Sequence, residues 1–350
     1  MKLSVAIICK NEGRNIERCL QSVFAGLPPH IEAEVLVVDS FSTDNTLEIA
    51  GRFPVKIIRL GRNWPHSPAA GRYTAFRHAR GAYTLCIDAD MELHAGFLET
   101  ALAFMDTQPR AAALTGIIKH TMLSTDKYEC LNSTRGELPA MNSATWDARG
   151  PARLLSIPGA GLFRTNAVLA VGNFHPFLRA EEEYELSQRL RHAGHELWYL
   201  PCRIADHHGY AGDSWSELKR RWRRGFMKGM GEMFALSMRS GFARENIHRF
   251  RLYLVLGGYV LLTPLILLRV RTHPLYTSAW MAGAILAAIL YRMRKKNWKD
   301  GLLAMVGNTI IGLCLYAKLL SRVPKAETYP AEPLIIDLTG SGNRKAGIPD

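Results

Sequence analysis

The apolar run Tyr83-Thr84-Leu85-Cys86-Ile87 stops at Asp88-Ala89-Asp90, and this most narrows what the chain can fold into. An earlier apolar run, Glu34 to Val38, stops at another acid, Asp39. Two strands that each end in a carboxylate indicate a parallel sheet whose ligand lies at the carboxyl edge. Acids one residue apart at an extended strand end project to one side. There they can share a hard divalent cation with phosphate oxygens. A nucleotide diphosphate held with Mg²⁺ or Mn²⁺ is the ligand these residue types suit.

The sequence leading to that acid pair alternates between two periodicities. Strands are expected at Leu3 to Cys9, Glu34 to Val38, Val55 to Leu60 and Tyr83 to Ile87. Helices are expected at Asn15 to Phe24, where Ile16, Leu20 and Val23 recur at helical spacing, at Thr43 to Arg52 and at Ala69 to Arg80. Alternation of this kind predicts an α/β fold layered around a mostly parallel sheet. Further on, Ala112 to His120 reads as a strand, Met122 to Pro151 as polar loops or a flap, Glu182 to His192 as a helix and Glu196 to Leu200 as a strand.

The C-terminal part changes character. Apolar runs at Leu252 to Leu268, Leu275 to Tyr291 and Leu302 to Leu320 contain no acid, and basic residues bracket them. Each is near the lower limit of about 17 residues for a membrane span. None has the polar face that a soluble amphipathic helix needs. The basic loop from Arg292 to Lys299 is expected in the cytoplasm, on the side of the N-terminal domain, as the positive-inside rule prefers. Three spans would then put the tail from Ser321 on the far side, and a two-span or re-entrant arrangement would change that. Before these runs, Trp215, Leu218, Trp222, Phe226, Met230 and Met233 share one face of an expected helix whose early turns are crowded with Lys219, Arg220, Arg221, Arg223 and Arg224. That pattern suits an interfacial helix on anionic headgroups.

The net charge of +13 also favours anionic partners. No recognised nucleic-acid module surrounds the basic cluster, so nucleic acid is not an expected partner. The six cysteines are scattered without a C-x-x-C pair, which suits free thiols in a reducing compartment. Met1-Lys2 leads into an apolar stretch too short for a signal peptide. The expected organisation is a nucleotide-binding domain over 1–213, an interfacial helix region over 214–250, a membrane region of two to three helices over 251–322, and a flexible Pro-, Gly- and charge-rich tail over 323–350.

Two stretches carry a family resemblance. Ala6-Ile7-Ile8-Cys9-Lys10-Asn11-Glu12-Gly13-Arg14-Asn15 and Val37-Val38-Asp39-Ser40-Phe41-Ser42-Thr43-Asp44 resemble the opening motifs of family 2 glycosyltransferases. The resemblance covers roughly residues 1–235. It implies a GT-A fold, a nucleotide-sugar donor and inversion at the anomeric carbon. On this resemblance Asn11, Glu12 and Asp39 line the nucleotide pocket. Asp39, an acceptor-only group, takes hydrogen bonds from base or ribose. A local alternative is that Asp39 only braces the turn while Ser42, Thr43 or Asp44 caps the next helix.

Asp88 and Asp90 match the family's D-x-D. Asp90 is the expected metal ligand, and Asp88 is expected on the ribose or on metal-bound water. Arg72, in Ala70-Gly71-Arg72-Tyr73, matches a family arginine near the donor phosphates; otherwise it is an ordinary surface arginine. Glu181-Glu182-Glu183-Tyr184-Glu185 resembles the acidic acceptor-site motif, with Glu183 in place of the catalytic Asp and Glu182 as fallback. Acids also favour the first turn of any helix. Asp206-His207-His208-Gly209 resembles a segment in which a histidine completes the metal site, and His207 and His208 are both candidates. Pro158 to Arg164 and Gly172-Asn173-Phe174 resemble the segment around the donor sugar and acceptor entrance. Arg221-Trp222 resembles the end of the Gln-x-x-Arg-Trp motif of processive synthases, but Leu218 replaces the Gln, which favours transfer of single sugars.

The expectation is a metal-dependent inverting transferase at the cytoplasmic membrane, its catalytic domain on the cytoplasmic side. It would move sugar from a UDP-type donor to a lipid-linked or saccharide acceptor. The alternatives are a processive polysaccharide synthase and a non-catalytic nucleotide-sugar-binding membrane protein.

Overall fold

The first strand, β1 (Leu3–Cys9), is buried along its whole length, as a central strand covered on both faces must be. It opens a computed structural model that describes residues 2–122, 125–129, 150–208, 214–269, 272–293, 297–330 and 332–337. The chain divides into two units. One contains Met1–Phe177, Glu182–Ala211 and Lys325–Asp350; the other contains Leu178–Glu181 and Gly212–Pro324.

In the first unit β1 is followed by α1 (Ile16–Gly26), β2 (Ala33–Asp39), α2 (Thr46–Ala50), β3 (Lys56–Arg59), α3 (Pro68–His78) and β4 (Tyr83–Asp88). Next come β5 (Met91–Leu93), α4 (Phe97–Thr107), β6 (Ala111–Met122), β7 (Thr125–Glu129), β8 (Ala152–Arg153) and β9 (Gly161–Arg164). Then follow α5 (Thr165–Ala170), α6 (Glu182–His192), β10 (Glu196–His207) and, from the far end of the chain, β11 (Leu334–Asp337). The strands form one mixed sheet in the order β11-β3-β2-β1-β4-β9-β6-β10-β5, with β7 beside β6 and β8 beside β10. The strands β3, β2, β1 and β4 are mutually parallel.

Alternation along β1 separates two cores. Leu3, Val5 and Ile7 face α1 and α4, while Ala6 and Ile8 face α3 and α6. The spacing in α1 buries Ile16, Cys19, Leu20 and Val23 together. Fully burying an aliphatic side chain of this size contributes about 1.5–3 kcal/mol. Helix α3 starts sharply because Ser67 accepts a hydrogen bond from the Ala70 amide and Pro68 supplies the first helical φ. It lies close on β1: a Cβ on Gly71 would come within 2.6 Å of Ile8 Cγ2. Residues Ala69 to Phe76 of this helix are all buried.

Several sequence expectations are corrected. The second helix is shorter than Thr43 to Arg52, because Ser42, Thr43 and Asp44 bond to the Asn11–Gly13 loop instead. Within the expected loop from Met122 to Pro151, Thr125–Glu129 pairs antiparallel with β6; residues 123–124 and 130–149 lie outside the described residues. The strand expected to stop at Leu200 runs on to His207, with register shifts around Tyr199, Arg203 and Ala205 that accommodate Pro201. The tail from 323, expected to be flexible, is in part structural. Leu334–Asp337 pairs antiparallel with β3, and Tyr329 is 2% exposed, edge-on to Trp64, Tyr73 and Phe177.

The second unit holds α7 (Ser214–Arg223), α8 (Phe226–Ser237), α9 (Ala243–Leu267), α10 (Pro274–Met293) and α11 (Trp298–Leu319). The single helix expected from Trp215 to Phe234 is broken at Gly225, whose φ of 74° is left-handed. Trp215 and Trp222 are therefore exposed, while Met230 and Met233 are buried. Helices α9 and α11 meet at Gly257 and Gly312, where a Cβ on Gly312 would overlap the Tyr253 carbonyl. Helices α9, α10 and α11 are each long and apolar enough to cross a membrane, and only 11%, 11% and 22% of their most apolar windows is buried. Their outward faces carry Val255, Leu265, Leu275, Ile285 and Leu286, all more than half exposed. A soluble surface does not expose so continuous an apolar area.

Candidate active site

The register of the parallel strands lines up the expected carboxyl edge. Asp39 lies opposite Cys9 and Asp88 opposite Ile8, so the two acids flank the end of β1. Beyond Asp88 the chain turns through Asp90 into β5, which pairs antiparallel with the end of β10, His207 opposite Met91. This pairing brings a segment more than a hundred residues away in sequence to the D-x-D turn.

Arg72 is the hub of the site. It projects from the buried helix α3 and is 2% exposed. Its guanidinium lies 3.1 Å from Asp88 Oδ1, 2.8 Å from Glu182 Oε1 and 3.2 Å from Glu183 Oε1. It also donates to the Gly159 carbonyl at 3.2 Å. The alternative of an ordinary surface arginine is thus wrong. A Cβ at 159 would sit 3.2 Å from Arg72 Nη2, 3.5 Å from Glu183 Oε1 and 3.7 Å from Asp88 Oδ2, so a larger side chain there would press on all three groups. Pro158-Gly159-Ala160 therefore lies against the acids.

One guanidinium against three carboxylates leaves an excess of negative charge, and protons make up part of it. Burial, reinforced by Glu183 and opposed by Arg72, pushes Glu182 up to about 8. Burial also raises Asp88, to about 6, against the pull of Arg72. Its side chain is still 36% exposed, so water offsets part of that burial. Burial disfavours the charged form of Arg72, and the carboxylates Asp88, Glu183 and Glu182 outweigh it, so its hold on the proton is raised. Of the two candidate bases, Glu182 is 5% exposed and committed to Arg72, whereas Glu183 keeps 19% of its side chain exposed. Both stand in the first turn of α6, preceded by Glu181 at a left-handed φ of 63°.

Asp90 and His207 form the second cluster. His207 Nε2 lies 3.2 Å from Asp90 Oδ2, while Asp90 Oδ1 is buried with no hydrogen-bond partner among the described residues. His208 turns elsewhere: its Nε2 lies 2.5 Å from Glu92 Oε1, and only its amide reaches Asp90, at the carbonyl. The two histidines are thus distinguished, and it is His207 that meets Asp90. Asp206 pairs with Arg203. Among the described residues no group of three or more His, Cys, Asp or Glu side chains is gathered to hold a metal by itself.

The nucleotide-pocket residues are built into a rigid loop. Asp39 is fully buried and accepts hydrogen bonds from the Ser42 amide and hydroxyl, so it does brace the turn. Asn11, at a left-handed φ of 56°, donates its amide to Ser42 and accepts from the Thr43 amide. Glu12 accepts from the Asn15 side chain and donates its amide to Thr46. Sequence reasoning passed over Phe41, also left-handed at 60°, whose ring is stacked on His66 and covered by Arg59 at 4.4 Å. Its signal was its place two residues after Asp39 in a polar turn. In Gly172-Asn173-Phe174 the glycine is exposed at a left-handed φ of 93°, while Asn173 and Phe174 are buried and Asn173 donates to the Tyr73 carbonyl.

Residues 4–172 match the family model described as glycosyl transferase family 2. The poly(ribitol-phosphate) beta-N-acetylglucosaminyltransferase TarS of Staphylococcus aureus strain Mu50 is 34% identical over 110 residues, which is 30% of this chain and 19% of TarS. The chain thus covers about a fifth of that curated relative's length. Among solved structures, S. aureus TarS 1–349 in complex with UDP-GlcNAc aligns with a TM-score of 0.52 at 21% identity, over 71% of this chain and 72% of that one. The mannosyltransferase PcManGT from Pyrobaculum calidifontis, in complex with GDP-Man and Mn²⁺, aligns with a TM-score of 0.57 at 18% identity, over 91% and 87%. At these identities the structural likeness concerns the fold.

Proposed function

Because residues 4–172 are a family 2 glycosyltransferase domain of GT-A fold, we propose that the chain transfers a sugar from a nucleotide diphosphate donor, UDP in first place, to a lipid-linked or saccharide acceptor. The observation that carries this reading is the convergence of Asp88, Glu182 and Glu183 on Arg72, across 16 and 110 residues of sequence. An acidic helix start serving only its own dipole has no need of a buried arginine shared with a distant D-x-D turn.

Asp90 and His207 would hold a divalent cation, and the partnerless Asp90 Oδ1 and the imidazole suit one that takes its remaining ligands from phosphate and water. Bound there, it would neutralise the charge on the diphosphate leaving group. Asn11, Glu12 and Asp39 stiffen the loop that receives the nucleoside. Glu183 takes the proton of the acceptor hydroxyl. The acceptor oxygen forms its bond to the anomeric carbon from the face opposite the diphosphate, whose bond to that carbon breaks. Configuration inverts, and the nucleotide diphosphate leaves with the bonding electrons. Glu182, protonated and fastened to Arg72, positions its neighbour rather than acting as the base. The apolar helices would hold the site at a membrane, on the cytoplasmic side, where a lipid-linked acceptor is concentrated.

Calorimetry of UDP against the detergent-solubilised protein tests the donor site. Binding that needs Mn²⁺ and is lost in Asp90→Ala supports it. No binding of UDP, GDP or dTDP to folded protein would overturn it. Glu183→Gln separates enzyme from binder: it should keep UDP affinity and lose turnover by about 10²-fold or more.

A further inference from the structure

We propose that only α9 and α10 cross the membrane, as a hairpin, and that α11 stays in the leaflet on the catalytic side. This rests on the membrane reading above. Three observations carry it.

The first is connectivity. Both ends of the helical segment return to the same sheet. The chain leaves the first unit after β10 and re-enters it at Lys325. Tyr329 then donates to the Pro65 carbonyl at 2.8 Å, and Leu334, Ile335, Ile336 and Asp337 pair with Arg59, Ile58, Ile57 and Lys56. A strand hydrogen-bonded to β3 lies on the same side of the bilayer as β3. The number of crossings between them is therefore even, although three helices are long enough to cross.

The second is the partner of α11. Its length from Gly307 to Ser321 runs beside α7 and α8 in the same direction. Leu218 meets Gly307, Gly231 faces Cys314, Glu232 pairs with Lys318 at 3.4 Å, and Arg239 donates to the Leu319 and Ser321 carbonyls. Helices α7 and α8 carry Glu217, Arg220, Arg221, Arg223 and Lys228. A crossing α11 would drag these charges into hydrocarbon, where each is costly. Helices α9 and α10 join each other through Tyr259 stacked on Trp280 and through Trp280 Nε1 donating to Thr263, and α11 also meets α9 at Gly257 and Gly312, so what sets α11 apart is its charged neighbours α7 and α8.

The third is charge. The Lys and Arg residues between α9 and α10 are Arg269 and Arg271, while the stretch from the end of α10 into the start of α11 carries Arg292, Arg294, Lys295, Lys296 and Lys299. The positive-inside rule keeps the second loop with the catalytic domain and sends the first across. Helix α11 is basic at both ends, with Lys299 near its start and Lys318 near its finish, as suits a segment whose two ends meet one headgroup layer.

Single cysteines at Glu48, Thr272, Lys299 and Lys325, in full-length chain whose native cysteines are replaced, would be probed with a membrane-impermeant maleimide on sealed cells and on inverted vesicles. Thr272→Cys should label from one side only, and Glu48→Cys, Lys299→Cys and Lys325→Cys together from the other. Labelling of Lys325→Cys on the side of Thr272→Cys would mean three crossings, and labelling of all four on one side would mean none; either overturns the proposal. A chain that washes off membranes in alkaline carbonate would instead remove the membrane reading itself. Should the cysteine-free chain not fold, epitope tags at the same four positions of the wild-type chain give the same answer.

Discussion

Arg72→Met removes the one positive charge that three carboxylates share and leaves their negative charge inside the fold. Breaking a buried pair by deleting one partner costs about 3–5 kcal/mol, because the other is left charged and desolvated. The cost depends on pH in a direction the site dictates. Glu182, raised to about 8 in the folded protein from an ordinary 4.5, holds its proton in the fold and loses it in the unfolded chain between those values. Wild-type stability therefore declines as pH rises from about 4.5 through about 8. Without Arg72 the carboxylates hold their protons to still higher pH, and the decline steepens. At pH 5 Glu182 is neutral in either form, and what Arg72→Met loses is chiefly hydrogen bonds, about 1–2 kcal/mol. Thermal melts of the detergent-solubilised protein should show a fall of about 10 °C at pH 8, taking about 2–4 °C per kcal/mol, and less than half of that at pH 5. Arg72→Lys should recover part of the loss, since an ammonium is a point charge that cannot span the three acids as a planar fork does. Equal falls at the two pH values, or a fall at pH 8 worth less than about 1 kcal/mol, would refute the reasoning.

His207→Ala should weaken Mn²⁺-dependent UDP binding by at least about tenfold, and His208→Ala should change it little; equal effects in titration calorimetry would undo the distinction drawn between them. Gly159→Val should lower kcat/KM by about 10²-fold with an unchanged circular dichroism spectrum, because its side chain displaces Arg72 and Glu183 from the reacting geometry. An unaffected rate in a sugar-transfer assay would remove Gly159 from the site. Tyr329→Ala opens a hole beside Trp64, Tyr73 and Phe177 and should cost about 3 kcal/mol in chemical denaturation; a cost near zero would mean that the returning tail is not docked in solution.

What was legible in the sequence is what depends on neighbours along the chain. β1 could be read from its continuous apolar run, and β2 and β4 because an apolar run and the acid ending it are one local pattern; the parallel arrangement then follows from the alternation with helices. Arg72 could not be read as a hub from its own surroundings, since its partners lie 16 and 110 residues away. A signal did exist: Ala69, Ala70, Gly71 and Ala75 around it make a helix that packs closely on every side and leaves an arginine no outward path. β11 is a four-residue strand with three apolar residues in a polar tail, too short to outweigh composition; only the open edge of β3 gives it a partner. The histidines show most directly where local reasoning stops. Successive residues on a strand point to opposite faces, so only one of His207 and His208 can turn toward Asp90. Which one does is fixed by the register of β10, and that register shifts twice between Tyr199 and Ala205. A slip of one residue exchanges the two faces. The sequence places two imidazoles at the edge, and the irregular backbone around Pro201 decides that His207 meets Asp90 while His208 goes to Glu92.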